Sequence, residues 1–347
     1  MNSEKLKIFA SKDWVLPGKN TIVVLWPFWP AKELDNSDPD VGRFKEYIEK
    51  GKDIFELTET LIQADIAVYP QEFTNNEECY KHLTSIAAEV KQVGKKLLVY
   101  YNSDDDASIE LDNCLLFRTS FYKSKQKKYE FAFPGWSVDF INYFPDKTFY
   151  TITDTSKPSV AYCGYINDEK KGLKTLVKSI LRPTKETYEE IAKAIRGGAC
   201  RNLQRNNKVK TNFIIRNGFW AAGIEDKVAA RKEYATNMFQ SLYAIATRGG
   251  GNFSYRFYEI LSCGRIPIFI NTDAVLPYDT MIDWKKHVVW VEQDELSKID
   301  EKLLSFHNSR SNADLIALQQ NNRKLYEEFI SPVGFHAKLK EFITINN

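Results

Sequence analysis

Short apolar runs of strand length alternate with longer amphipathic stretches along this 347-residue chain. In the first half the runs are Thr21–Leu25 (TIVVL), Asp65–Tyr69 (DIAVY), Lys96–Tyr101 (KLLVYY) and Asn113–Arg118 (NCLLFR). Their β-branched and aromatic content predicts buried strands. Asp53–Gln63 and Glu77–Val93 have a helical period, and Gly94 is placed to close the second of these. The prolines of the WPFWP segment at 26–30 stop regular structure after the first run. In the second half, Ser159–Tyr165, Thr211–Ile215, Leu242–Ala246 and Ile266–Ile270 read as strands. Leu173–Ile180, Lys185–Ile195 and Val228–Phe239 read as helices, and a closing helix, Asn312–Ile343, is interrupted at Pro332. Strands separated by helices predict an α/β fold with parallel sheets covered on both faces. The polar, proline-containing Asp154–Pro158 marks a boundary, giving units of 1–153 and 154–325 and a terminal helix over 326–347.

The densest chemistry lies between Thr247 and Pro277, TRGGGNFSYRFYEILSCGRIPIFINTDAVLP. Gly249, Gly250 and Gly251 permit φ > 0 and a close approach of backbone to ligand, and Asn252 is placed to cap the helix that follows. Such a helix turns its unpaired amides and positive dipole end toward the glycines, which is anion-binding geometry. Arg256, one turn in, adds a fixed positive charge for a phosphate. Glu259, three residues on, has a carboxylate suited to ribose hydroxyls. Gly264 is placed to end the helix before the next strand. Arg216 and Arg248, each at the end of a predicted strand, can converge on the same diphosphate. The plainer alternatives are a flexible turn for the glycines and a surface ion pair for Arg256 and Glu259.

Composition narrows the class without naming the reaction. Apolar content of 43% and charged content of 27% are those of a soluble globular protein. A formal net charge of +2 offers no electrostatic argument for nucleic acid. The 14% aromatic content allows sugar or base platforms, with Trp26, Phe28 and Trp29 as candidates for an acceptor. Cys79, Cys114, Cys163, Cys200 and Cys263 are an odd number without a C-x-x-C pair, which fits reduced thiols in the cytoplasm. The four histidines are too dispersed for a metal centre, and no run reaches membrane-spanning length. The lysines of KSKQKK (Lys123–Lys128) leave peripheral contact with an anionic surface open.

The Ser254, Arg256, Phe257, Glu259 core and the following CGRIPIFI (Cys263–Ile270), with Leu276-Pro277 and Trp284 beyond it, resemble the C-terminal signature of exostosin-like glycosyltransferases. The resemblance covers most of the second half and only faintly the first. It implies two Rossmann-like lobes in the GT-B arrangement, a nucleotide-sugar site in the cleft, and a terminal helix that crosses back to the first lobe. It also implies inverting transfer to a glycan or lipid-linked glycan hydroxyl. The donor would be a UDP- or GDP-linked sugar bound by Arg216, Arg248, Gly249, Gly250, Gly251, Asn252, Ser254, Arg256 and Glu259, with no metal or further cofactor.

Inversion needs a general base for the acceptor hydroxyl. Asp105, in the Asn102–Asp106 run after KLLVYY, and Glu72, after DIAVYPQ, lie where strands end in the first half, and Asp139 is a third carboxylate of this kind. Asp104-Asp105-Asp106 also contains the D-x-D device of metal-dependent glycosyltransferases, a competing mechanism. A non-catalytic nucleotide- or sugar-binding module, or an epimerase or phosphorylase on the same scaffold, stays open as well.

Overall fold

Two all-parallel sheets form where the alternation of runs and helices predicts them. The computed structural model describes residues 4–29, 38, 40–166, 185–218 and 225–346, which fall into two units. The first comprises Met1–Pro134, Val275–Met281 and Glu328–Asn347; the second comprises Gly135–Ala274 and Ile282–Glu327. The predicted helix Leu173–Ile180 lies outside the described residues.

In the first unit the chain runs β1 (Leu6–Phe9), α1 (Lys45–Ile54), β2 (Phe55–Leu57), β3 (Ile66–Val68), α2 (Glu77–Gln92), β4 (Leu97–Tyr101), β5 (Cys114–Arg118) and β6 (Glu130–Ala132). The spatial order is β2-β1-β3-β4-β5-β6. Local chemistry explains α2 well. Asn76 caps it by accepting from the Cys79 amide at 2.9 Å, Glu77 and Glu78 sit at the positive end of the dipole, and Lys91 sits at the other. Gly94 takes φ 71° just past its end. Its buried stripe, Leu83, Ile86, Ala87 and Val90, packs on Ala67, Leu97, Val99 and Leu116 of the sheet.

Two expectations need correction here. Thr21–Leu25 forms no strand: Val23–Leu25 is a 3-10 turn, the chain keeps turning as the Phe28 and Trp29 amides bond to the Leu25 carbonyl, and Pro27 fills the space beside Gly51. Asp53–Gln63 is not one helix either; α1 ends at Ile54, and Phe55–Leu57 pairs in parallel with β1. Phe55 and Leu57 alternate across Glu56, and that short alternation prevails over the longer helical period.

The second unit contains β7 (Ser159–Tyr165), α3 (Lys185–Arg205), β8 (Lys210–Arg216), α4 (Lys227–Phe239), β9 (Tyr243–Ala246), α5 (Tyr255–Ser262), β10 (Ile266–Asn271), β11 (Val289–Glu292), α6 (Ile299–Asn308) and α7 (Asn312–Leu325). Its order is β11-β10-β9-β7-β8. Ile245, Ile268 and Val291 from three strands are fully buried against Leu203 of α3 and Leu303 of α6. Truncating one such Ile to Ala would cost about 2–5 kcal/mol. α5 stops in a Schellman turn: the Arg265 amide bonds to the Ile260 carbonyl at 3.0 Å and the Gly264 amide to Leu261 at 2.8 Å. Gly264 has φ 63°, and a Cβ there would lie 2.3 Å from Phe149, so the stop expected at this glycine is built by its lack of a side chain. Pro332 opens the last helix, α8 (Pro332–Asn346), which belongs to the first unit.

α8 carries His336, which is buried against Tyr47 of α1 with ring centroids 4.4 Å apart. Its Nδ1 donates to the Pro332 carbonyl at 2.7 Å, and burial pushes its pKa down to about 4. An unfolded His titrates near 6.5. The unfolded chain therefore binds more protons between about 4 and about 6.5, so this histidine's stability contribution is complete above that window and is lost as pH falls through it. The thermal midpoint should drop across this range by an amount that His336→Gln reduces; equal pH dependence in both proteins would show that His336 is not buried neutral.

Candidate functional site

The strand order of the second sheet places a site before any side chain is considered. From β7 the chain goes outward to β8 on one side, then returns to β9, β10 and β11 on the other. The direction of winding reverses between β7 and β9, and in doubly wound sheets ligands bind beyond the carboxyl ends of the strands at such a point. Here those ends deliver Cys163–Tyr165 from β7 and Thr247–Gly251 from β9. The N-terminus of α5 follows directly.

Arg256 is the most tightly held group there. Its Nη2 donates to the Cys163 carbonyl at 2.8 Å and its Nε to the Tyr234 hydroxyl at 3.1 Å. The guanidinium lies over the rings of Tyr162 and Tyr234, 4.6 and 5.4 Å from their centroids. Gly164 makes this approach possible, since a Cβ at that position would stand 2.9 Å from Nη2 and 3.2 Å from the Tyr162 hydroxyl. Nε and Nη2 are thus committed to protein, and Nη1 is the nitrogen left for an incoming anion among the described residues.

Two further guanidinium groups frame the glycine turn. Arg248, only 5% exposed, donates to the Gly250 carbonyl at 3.0 Å. Arg196 of α3 donates to the Arg248 carbonyl at 2.9 Å, so a helix side chain fixes the backbone entering the turn. Burial lowers the Arg196 pKa, and the like charge of Arg256 adds to the effect; an arginine nonetheless remains protonated. The turn closes through the Gly249 amide on the Phe253 carbonyl at 2.9 Å. None of its glycines is among those with positive φ, so their contribution is small size rather than left-handed backbone.

The cap of α5 is Ser254, where Asn252 was expected, and the Ser254 hydroxyl makes no capping bond to the helix amides. Asn252, 1% exposed, instead accepts from Thr272 at 2.6 Å and donates to the Asp273 carbonyl at 3.2 Å, tying the turn to the loop after β10. Asn252-Phe-Ser254 also fits the N-x-S pattern of a glycosylation acceptor, and the burial of Asn252 keeps it out of reach. Glu259 is 5% exposed. Its Oε1 accepts from Ser137 at 2.8 Å and faces Arg231 at 3.3 Å, while its Oε2 accepts from the Tyr234 hydroxyl. Arg216 ends the edge strand and is engaged by the Ala230 carbonyl at 2.9 Å and Glu233 at 2.8 Å; its charge and that of Arg256 both act on Cys163. Arg196, Arg231, Tyr162 and Tyr234 were not singled out from the sequence. The one signal was the i, i+3 spacing of Arg231 and Tyr234, which puts them on one face of α4.

The two first-unit carboxylates differ in state. Asp105 follows β4, and its Oδ2 accepts from Tyr101 at 2.6 Å and Asn75 at 3.1 Å while Oδ1 accepts from the Ala107 amide at 2.8 Å. Burial alone would raise its pKa, but the bonds from Tyr101, Ala107 and Asn75 and the charge of Arg118 together lower it. Buried Arg118 holds this loop through the Asp105 and Ala107 carbonyls at 2.9 and 3.1 Å while paired with Glu130 at 2.8 Å. Glu72 lies beyond β3 and is exposed as a residue; partial burial of its carboxyl raises its pKa, and Arg43 opposes this only in part. Asp139 belongs to the second unit and is gripped by both terminal nitrogens of Arg323, at 2.7 and 2.8 Å. Among the described residues no three His, Cys, Asp or Glu side chains come together as cation ligands. Of the aromatic trio, Trp26 donates to the Thr21 carbonyl at 2.8 Å, and Trp29 has Lys12 6.0 Å from its ring. The five cysteines are free and buried. No helix of the described residues is long and apolar enough to cross a membrane.

Residues 180–305 match the family model described as the exostosin GT47 domain. Exostosin-1 of Drosophila melanogaster is 29% identical over 103 residues, which is 30% of this chain and 13% of that protein, so the chain spans only a small part of its curated relative. Among solved structures, a TarM mutant of S. aureus in complex with fondaparinux, α-GlcNAc-glycerol and UDP is similar at a TM-score of 0.35 and 11% identity, over 85% of this chain and 51% of that one. WaaG, a glycosyltransferase involved in lipopolysaccharide biosynthesis, is similar at 0.32 and 10% identity, over 82% and 86%.

The packing of Arg256 against Gly164 makes a sharp prediction. Gly164→Ala should move the guanidinium off the Cys163 carbonyl and weaken diphosphate binding severalfold in calorimetry, with a thermal midpoint within a few degrees of the parent. Unchanged affinity would mean that the guanidinium takes no part in binding.

Proposed function

We propose, from the match of residues 180–305 to the exostosin GT47 domain, that this chain is a glycosyltransferase moving a sugar from a nucleoside-diphosphate donor to a glycan hydroxyl with inversion. The observation that carries this reading is the pre-set Arg256, clamped between two tyrosines beside an uncapped helix N-terminus at the reversal point of a parallel sheet. Arg256 Nη1, the Ser254 hydroxyl and the first amides of α5 form a donor array for phosphate oxygens. Arg196 and Arg248 stiffen the glycine turn beside them. Arg216 has the weaker claim to direct contact, being engaged by Glu233.

In the reaction, the bond between the anomeric carbon and the diphosphate oxygen breaks, and negative charge grows on the departing phosphate. Fixed donors aimed at that charge lower the barrier without reorganising. The acceptor oxygen bonds to the anomeric carbon from the opposite face and gives its proton to a base. Glu72 suits that task better than Asp105, because a base works best with its pKa brought toward the working pH, whereas Asp105 is stabilised as the anion by its loop. The donor would be a UDP- or GDP-linked sugar acting as co-substrate, with no metal or other cofactor. The acceptor would be a glycan or lipid-linked glycan, and five buried thiols held in no disulfide favour a cytoplasmic setting.

Incubation with a panel of nucleotide sugars and glycan acceptors should release nucleoside diphosphate. Binding without release under any pairing would favour a non-catalytic module. Arg256→Ala should weaken UDP or GDP binding roughly tenfold or more with the fold intact, since hydrogen bonds to charged groups contribute about 1.5–3 kcal/mol; unaltered affinity would remove Arg256 from the site.

Glu72→Gln should cut turnover by about 100-fold or more while sparing donor affinity, and Asp105→Asn should change turnover only a few-fold. With a raised pKa, Glu72 must lose its proton to act, so activity should fall with decreasing pH at a higher pH than an ordinary carboxylate would impose. Near-normal turnover of Glu72→Gln would exclude it as the base.

A further inference from the structure

Four side chains behind the glycine turn alternate in charge and hydrogen-bonding role. Arg231 and Tyr234 share one face of α4, Arg256 and Glu259 share one face of α5, and these two faces meet. Arg231 lies 3.3 Å from Glu259 Oε1. Tyr234 donates its one proton to Glu259 Oε2, and its oxygen accepts from Arg256 Nε at 3.1 Å. Arg231 is held in turn over the Phe140 ring, 4.7 Å from its centroid.

We propose that Glu259 and Tyr234 are positioning residues for the donor diphosphate: Tyr234 passes the hold of the Arg231-bound carboxylate to Arg256, and Glu259 acts through that arginine rather than on the ribose. The inference rests on the reading that the glycine turn binds a nucleoside diphosphate. Three features support it. Both Glu259 oxygens already accept hydrogen bonds from protein and the residue is 5% exposed, so a ribose diol would have to displace those donors from a buried anion. A direct Glu259–Arg256 pair would neutralise the cation and compete with phosphate, whereas the interposed hydroxyl orients the guanidinium and leaves its charge for a ligand. One carboxylate against two guanidinium groups also leaves the array with excess positive charge. Tyr234 keeps its proton throughout, because burial first and the Glu259 charge second raise its pKa. Charge-assisted bonds on both sides of one hydroxyl polarise each other and stiffen the chain.

Calorimetry with UDP and GDP and their 2′,3′-dideoxy counterparts tests this. Tyr234→Phe and Glu259→Gln should each weaken all of these ligands roughly tenfold, about 1.4 kcal/mol, while the ratio between ribo and dideoxy forms stays at its parental value. If Tyr234→Phe does not fold, Glu259→Gln carries the same comparison. The inference is overturned if Glu259→Gln abolishes a parental preference for the ribo form, which would put the carboxylate on the sugar, or if Tyr234→Phe binds as the parent does. Failure of the unaltered protein to bind either nucleotide would instead overturn the reading beneath it.

Discussion

The fixed position of one guanidinium is the constraint on which the second unit's chemistry depends. An arginine side chain has about 2 kcal/mol of rotamer entropy to lose when it is ordered. At Arg256 that loss is met before any ligand arrives, by the Cys163 carbonyl, the Tyr234 hydroxyl and two aromatic faces. Such preorganisation lets the charge act on a ligand or transition state without a further ordering penalty. Gly164 is the backbone counterpart, because the space a Cβ would take is occupied by the guanidinium.

The other buried arginines of the unit serve the scaffold around this site. Arg265 is fully buried, with Nε and Nη2 on the Phe239 carbonyl at 3.0 and 2.7 Å and Nη1 on the Tyr150 carbonyl at 3.0 Å, which joins the end of α4 to the start of β10. Arg323 of α7 binds Asp139 and the Ser262 carbonyl at 2.7 Å, anchoring the C-terminal end of α5. With its C-terminus locked in this way, α5 holds its N-terminal amides and Arg256 in register with the strand ends. The glycine turn, the cap and the arginine are therefore fixed by the same set of contacts.

Much of the fold was legible because buried parallel strands are continuous apolar runs: β3, β4, β5, β7, β8, β9 and β10 all lie within or across runs that hydropathy marks out. What was missed is short and lies toward sheet margins. β1, β2, β6 and β11 are three or four residues each, each with a charged residue, too short for a period to register. Thr21–Leu25 has strand-like composition, yet the turn through Trp29 and the packing of Pro27 on Gly51 decide otherwise. At the site, the sequence carried the glycines, Ser254, Arg256 and Glu259 because they are local to one turn and one helix. It carried neither the Tyr234 relay nor the Arg196 brace, since these depend on which helix faces meet, and residues 234 and 256 or 196 and 248 share no local pattern. Asp105 shows the converse limit: its position after a strand is readable, but the three hydrogen bonds that make it an anion of the loop are tertiary facts.

Crystals of the protein with bound UDP or GDP offer the most direct check. Phosphate oxygens should lie within hydrogen-bond distance of Arg256 Nη1 and the first amides of α5, between the ends of β7 and β9, with the Tyr234–Glu259 bond retained. A nucleotide bound elsewhere, or one whose phosphates face solvent while Arg256 stays unengaged, would contradict the account.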